Sequence, residues 1–500
     1  MAGFGRYTLS LLAICCLLIL AMYVDIFGFS VALPAAACDL GLSTNQQAML
    51  SAAPLIGVMT SSYAWGLCAD TLGRRSTLLA AMTVGAILNI AASVAPSYET
   101  LALIKFFSGA FTASANAAAF VLLGECAPRR RRRQFMFVMA SATMYSQLFI
   151  CVFAIPIFNM RFHISLSWLD YRPWRLLLQV ISLPAVVGVI GLVFLHESPK
   201  FLMSKGRDED AIEVLRAIHR ANCGEKEAYE VTSVYLEEPP VPRAVGGSLA
   251  RHLWHQTAPL FQTPLRKNNL ILYFMLLCAY MTSTGFTMWV PTMTNAFFNG
   301  EDSSGKSFCE VASTAALSST NSTDLNCDSV IQQSTLYAVM GYSGGGGTLT
   351  LLLTFIVVPI GGKRTTILVF LISAAAGLTL LFIRVPLLSV ALFYVFLYVS
   401  LILGTANSYL VDLNPTHLRG MVTCLSVVVA RGFGFFSVQI IAALLADHCT
   451  AMVSGYILLV IAGLAVSFFL PPDTKEEASE NETAVTRIQT VVANDEKTRF

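Results

Sequence analysis

An acid and two arginines fall within six residues in Gly66-Leu-Cys-Ala-Asp70-Thr-Leu-Gly73-Arg74-Arg75-Ser-Thr-Leu, between two apolar runs. Charges beside hydrocarbon are costly unless they pair or work. The turn therefore reads as an ion cluster, with Asp70, Arg74 and Arg75 latching the ends of neighbouring spans and Gly66 and Gly73 shaping the backbone. A reduced copy, Gly361-Gly362-Lys363-Arg364-Thr-Thr-Ile, follows about 290 residues later. Matching Gly73 to Gly362 gives an interval of 289 and sets Pro359 where an acid is expected. A second pair of turns repeats at an interval of 287: Glu125-Cys-Ala-Pro128-Arg-Arg-Arg-Arg132 and Asp412-Leu-Asn-Pro415-Thr-His-Leu-Arg419. In each, proline ends a span and leaves an acid and an arginine at its mouth. Glu125 with Arg132, Asp412 with Arg419, and Glu197 are the expected reciprocal pairs of the latch. Breakable charge pairs of this kind can separate two conformations by a few kcal/mol. Plain topological charge would explain the arginines but neither Asp70 nor the glycines.

Two charges lie deeper. Asp25 sits half-way along the first apolar run and Arg431 well inside the eleventh. An intramembrane acid is by default a proton site or the partner of a cation, against the simpler role of bonding a neighbouring helix. Arg431 suits an anionic solute or pairs with Asp25 across a cavity.

The elements that must hold these groups are membrane helices. The chain has 500 residues, 55% of them hydrophobic and only 12% charged, where a soluble domain carries about a quarter charged. Repeated apolar runs of about 20 residues must be helical, because backbone groups in lipid have to satisfy one another. Twelve spans are expected, at 8–33, 48–68, 77–95, 101–124, 136–158, 174–195, 269–291, 334–358, 365–383, 387–411, 421–446 and 451–471. The first is too long for a signal-peptide core and reads as retained. With both termini in the cytosol, 25 of the 32 lysines and arginines fall on cytosolic segments, as the positive-inside rule requires. The expected layout is a first six-helix bundle at 1–195, a cytosolic linker at 196–268, a second bundle at 269–471 and a disordered cytosolic tail at 472–500. Acids lead an amphipathic pattern from Asp208 to Ile218 in the linker. The external loop 292–333 carries the glycosylation triplet at Asn321 and two cysteines, Cys309 and Cys327, which are expected to bridge, with Cys38 and Cys449 as competitors. Asn481 begins a second triplet, in the tail, and should stay bare.

These residues resemble the major facilitator superfamily along essentially the whole chain. The Gly66–Arg75 turn is similar to that superfamily's loop between its second and third spans. Trp174-Arg175 and Glu197-Ser-Pro-Lys200-Phe-Leu are similar to the sugar and organic-ion porters. Ala32-Leu-Pro34-Ala-Ala-Ala-Cys-Asp39-Leu-Gly-Leu42 resembles the synaptic vesicle glycoprotein 2 family and its related proteins, and Pro415-Thr-His-Leu-Arg419-Gly with Arg431 resembles the related-protein branch and the organic ion transporters. Lys105 stands where an arginine is commoner. The resemblance implies an all-α fold of twelve transmembrane helices in two pseudo-symmetric bundles around a central cavity. Its candidate lining residues are Phe29, Asn116, Tyr145, Gln147, Tyr280, Trp289, Asn295, Tyr398 and Asn407, where aromatic faces and amides would hold an organic ion.

Other chemistry is not supported. Gly341-Tyr-Ser343-Gly-Gly345 has nucleophile-elbow spacing but lies in a span with no preceding strand. There is no phosphate-loop lysine motif, no zinc-type His/Cys spacing and no basic domain for nucleic acid. No enzyme activity, cofactor or metal is expected. The small residues from Ser108 to Ala117 and the run Gly344–Gly347 read as close helix approaches. The expectation is a monomeric secondary transporter for a small organic solute, with protons as a candidate co-substrate, in a plasma or vesicle membrane. The alternatives are a sugar carrier and a non-transporting vesicle scaffold, the latter weakened by a short N-terminal tail.

Overall fold

Helices account for nearly every described element of the computed structural model. It describes residues 5–471 apart from 43, 129–130, 161, 167–168, 225–230, 232, 235–257, 288, 291–293, 295–304, 313–332, 416–417 and 446. The first half comprises α1 (Arg6–Asp39), α2 (Thr44–Leu72), α3 (Arg74–Ala92), α4 (Tyr98–Cys126), α5 (Arg132–Asn159) and α6 (Pro173–Val193). A two-stranded antiparallel hairpin, β1 (Ile164–Leu166) and β2 (Leu169–Tyr171), joins α5 to α6. Two short helices follow, α7 (Pro199–Ser204) and α8 (Asp208–Cys223). The second half comprises α9 (Leu265–Thr287), α10 (Gln333–Ile360), α11 (Gly362–Leu380), α12 (386–412), α13 (Arg419–Leu444) and α14 (Cys449–Ser467).

Eleven of these helices are long and apolar enough to cross a membrane. The remaining one of the twelve, α2, is also long enough at 29 residues, but its serines, threonines and tyrosine make it more polar. Local signals set several boundaries. Ser97 accepts the Thr100 N–H while Thr100 bonds back to the Ser97 N–H, a capping box that starts α4. Prolines Pro173 and Pro386 occupy first turns, where their missing N–H leaves no partner wanting. A 3₁₀ stretch at Tyr398–Ile402 interrupts α12 half-way.

The halves meet chiefly along two lines of contact, α5 against α10 and α2 against α13. The glycine run of α10 makes the first approach possible. A Cβ on Gly347 would meet the Tyr145 ring of α5 at 2.6 Å; within the second half, one on Gly345 would meet the Tyr398 hydroxyl at 2.8 Å and one on Gly346 the Tyr398 ring at 2.9 Å. The helix runs through these glycines without unwinding.

In the linker, α8 opens with Asp208, Glu209 and Asp210 and buries Ala211 and Ile218. Its last turn docks on the start of α1, where the Asn222 side-chain oxygen Oδ1 accepts the backbone N–H groups of Tyr7 and Thr8. The tail 472–500 and Asn321 lie outside the described residues.

Candidate functional site

The turn between α2 and α3 gathers buried charge from four elements. Arg74 bonds Asp70 at 3.1 Å from the end of α2 and Glu125 at 3.2 Å from the end of α4. Its guanidinium also lies over the Phe201 ring of α7. Glu125 in turn accepts the Ser198 hydroxyl at 2.5 Å. Besides the Ser198 N–H, Glu197 accepts the backbone N–H groups of Arg74, Arg75 and Ser76, so a carboxylate caps the positive end of α3. Arg75 reaches the opposite kind of helix end, donating to the Leu192 and Val193 carbonyls that close α6. Gly73 permits all of this: it has φ 111°, and a Cβ there would sit 2.5 Å from the Glu197 carboxylate.

Charges at this end choose partners other than those expected from the motifs. Glu125 pairs with Arg74, not with Arg132. Arg132 crosses between the halves to Asp412 at 2.9 Å, and Arg419 donates to the Asn414 carbonyl instead of to Asp412. The reason is geometric. Each proline-containing turn redirects the chain, so the arginine after it starts a new helix facing away from the acid before it. The glycine alignment also shifts by one. Gly361, with φ 92° and ψ 156°, is the counterpart of Gly73 with φ 111° and ψ 155°. The acid position therefore falls on Val358 and not on Pro359.

At mid-depth, Asp25 is fully buried and pairs with Lys105 at 2.5 Å. Ser108 and Thr112 donate to its second oxygen, and Asn89 accepts from Lys105. The cation partner of Asp25 is thus Lys105 within the same half, and the Asp25–Arg431 pair does not form. Phe29 packs under this cluster, 5.2 Å from the Lys105 nitrogen, and is not a cavity wall.

Between the halves lies a cavity lined by Tyr23 and Phe27 of α1, Thr143 and Gln147 of α5, Tyr280, Ser283 and Thr287 of α9, Tyr342 of α10, Ser400 of α12 and Arg431 of α13. A smaller chamber on the other side of Tyr280 and Arg431 is lined by Asn116, Asn407, Thr423 and Ser426. Arg431 is 1% exposed. Its guanidinium lies 4.6 Å from the Tyr23 ring and 5.5 Å from that of Tyr280, and both terminal nitrogens lack a hydrogen-bond partner among the described residues.

Of the expected lining residues, Asn116, Gln147, Tyr280 and Asn407 face this space. Tyr145 and Tyr398 serve the α5–α10 and α12–α10 contacts, Tyr398 donating to the Tyr342 carbonyl at 2.8 Å. Trp289 stands outside the walls, and Asn295 lies outside the described residues. Tyr23, Phe27 and the hydroxyls of α9 were missed. Their signal was weak: an aromatic pair four residues apart on the span that carries Asp25, and a Thr-Ser-Thr run in α9.

At the opposite end, Cys309 is bonded to Cys449 at the start of α14. This replaces the expected Cys309–Cys327 bridge; Cys327 lies outside the described residues. The bond fastens a loop whose Phe308 packs on Phe393 of α12. There the Glu310 carboxylate accepts the Ser307 N–H at 2.7 Å, which holds its pKa below the ordinary value. Asp39 organises the same end of the first half, pairing with Arg172 at 2.8 Å and accepting the Trp174 indole N–H at 3.1 Å. Arg175 reaches the Ser93 and Ala95 carbonyls.

The sequence profile described as Major Facilitator Superfamily matches residues 15–438. The chain belongs to the major facilitator superfamily. Among curated proteins it is 25% identical over 321 residues to "Synaptic vesicle glycoprotein 2B" of Rattus norvegicus, covering 60% of this chain and 47% of that protein. It is 27% identical over 223 residues to "Synaptic vesicle glycoprotein 2C" of the same species, covering 44% and 30%. The chain thus spans about half the length, or less, of the curated relatives it matches. Among solved structures it is similar to the proton:xylose symporter XylE bound to 6-bromo-6-deoxy-D-glucose, with TM-score 0.62, 17% identity and 93% and 95% coverage. A partially occluded inward-open form of XylE from E. coli gives 0.59, at 15% identity and 93% and 98% coverage. At these identities the structures show the fold alone. This major facilitator is a multi-pass membrane protein of twelve helices in two six-helix bundles.

Proposed function

We propose that this chain is a secondary transporter that carries a small organic solute across its membrane by alternating access. The observation that carries the reading is the cavity walled by both halves, with contacts between the halves on either side of it. At one end Arg132 pairs with Asp412; at the other, Gln333 donates to Asn159. In alternating access, loading and release each require one of these ends to part. The Arg132–Asp412 pair is partly exposed, 11% and 30%, which keeps its contribution small and its opening cheap.

The arginine-rich end faces the cytosol in this reading, because the reverse would export most of the lysines and arginines. Both termini are then cytosolic, and the disulfide end meets an oxidising compartment. The names of the curated relatives support a vesicle membrane, with the plasma membrane as the alternative. Asp25 is the candidate proton site; Asp25→Asn should flatten the pH dependence of uptake.

Two independent measurements test the reading. Spin labels at Leu72 and Ile360, exposed residues at the cytosolic ends of the two halves, should report at least two distance populations. Proteoliposomes should take up members of a panel of organic acids, sugars and organic cations saturably. A single fixed distance, with no uptake above protein-free vesicles, favours the scaffold role and ends the transport proposal.

A further inference from the structure

Four polar side chains in the central cavity have no hydrogen-bond partner for their side-chain amide or terminal guanidinium nitrogens among the described residues. They are Asn116 and Gln147 from the first half and Asn407 and Arg431 from the second, each 6% exposed or less. Buried amides elsewhere in the spans are paired. Asn89 bonds Lys105, Asn269 and Asn414 bond each other reciprocally, and Gln179 bonds Ser93 and Tyr171. Arg431 has both terminal nitrogens buried without a partner among the described residues, a state that drives a donor to find a ligand, and the three amides line the same two chambers.

The chemistry of the four groups specifies that ligand. A guanidinium only donates, in a planar fork that fits a carboxylate. Each amide both donates and accepts, so its natural complement is a group that does the same, a hydroxyl. Charge narrows the choice further. Lys105 is committed to Asp25, so Arg431 is the cation left over among the described lining residues, and no carboxylate lines either chamber to receive an ammonium. One uncompensated positive charge calls for a monoanion, not a zwitterion, a dianion or a cation. The rings of Tyr23 and Tyr280 hold the guanidinium between the two chambers, so a ligand bound there can reach amides on both sides.

We infer that the site takes a monocarboxylate bearing several hydroxyl groups, a sugar-acid class of solute, with its carboxylate on Arg431 and its hydroxyls on Asn116, Gln147 and Asn407. This deepens the transporter reading and rests on it for the solute's passage. It also separates this site from one for a neutral sugar, which would leave Arg431 without a counter-charge, and from one for an alkyl acid, which would leave the three amides dry.

The test uses the full chain in lipid nanodiscs with three probes of similar size: D-glucuronate, D-glucose and hexanoate. Calorimetric titration should show glucuronate binding at least about tenfold more tightly than either of the others. Arg431→Gln should weaken glucuronate by about thirtyfold or more and leave glucose unchanged. Gln147→Leu and Asn407→Leu should each weaken glucuronate by about tenfold and leave hexanoate unchanged. Melting curves check that each variant is folded, and Arg431→Lys, which keeps the charge, should retain part of the affinity. Equal affinity for glucose and glucuronate, equal affinity for hexanoate, indifference to Arg431→Gln in folded protein, or no binding of any probe each overturns the inference. Spin-label distances separate this from the wider reading. Distances that move while glucose binds as well as glucuronate leave a transporter with another solute; fixed distances with tight glucuronate binding leave a receptor and remove the transporter.

Discussion

At the end of α2, Gly73 has φ 111° and ψ 155°; at the end of α10, Gly361 has φ 92° and ψ 156°. In both halves the cation two residues after this glycine closes the last span of its own bundle. Arg75 donates to the carbonyls ending α6, and Lys363 donates to the Leu470 carbonyl just past α14. The backbone device is therefore shared, and the side chains around it are not. The first half packs Asp70, Arg74, Glu125 and Glu197 into one network, with the Arg74–Asp70 and Arg74–Glu125 contacts almost wholly buried. The second has Val358 and Gly362 at the positions of Asp70 and Arg74, and ties α9 to the end of α12 by the reciprocal Asn269–Asn414 amides. Without an internal arginine to hold it, Asp412 is free to meet Arg132 of the other half. One bundle spends its charge on internal rigidity, and the other lends its acid to the contact that must open.

The largest effect should come from Arg74→Ala. It leaves two buried carboxylates facing each other and should cost about 3–5 kcal/mol, seen as a large drop in the melting temperature of purified protein. Lys363→Ala should cost only about 1–2 kcal/mol. Equal drops would erase the contrast between the halves. Next, Gly73→Ala forces a side chain into a glycine-only backbone region against the Glu197 carboxylate, for about 1–3 kcal/mol. Gly361→Ala should carry the backbone part of that cost, and wild-type melting in either variant would break the shared device. The Asn269→Ala, Asn414→Ala double-mutant cycle should show a coupling of about 1 kcal/mol; additive changes would mean the amides do not act as a pair. Smallest in stability is Arg132→Ala, under about 1 kcal/mol because the pair is partly solvated. Its effect should appear in the Leu72–Ile360 distances, shifted towards the longer population. Exchanging the charges, Arg132→Asp with Asp412→Arg, should restore the wild-type distribution.

Much of this was legible in the residues. The Gly66–Arg75 turn and its copy announced the duplication, because glycine, acid and arginine at fixed spacing are costly in hydrocarbon and are kept only where geometry needs them. Asn116, Gln147, Tyr280, Asn407 and Arg431 were recognisable as polar or aromatic groups in spans. Tyr145 and Tyr398 have the same appearance and do a different job: each fills the space left by the Gly345–Gly347 run. No one-dimensional signal separates a tyrosine that lines a cavity from one that packs against a glycine on a helix distant in sequence.

The chain alone determined its spans and their repeat, because a bilayer permits only helices and the apolar lengths set them. It also fixed which groups carry charge. Only the tertiary structure decided which charge meets which: Arg74 with Glu125, Arg132 with Asp412, Lys105 with Asp25, Cys309 with Cys449. Those partners lie from 51 to 280 residues apart, and their choice depends on how helices rotate when packed. Among the described residues, the same packing paired Asn89, Gln179, Asn269 and Asn414 with protein groups and left Asn116, Gln147 and Asn407 to line the space where the two halves meet.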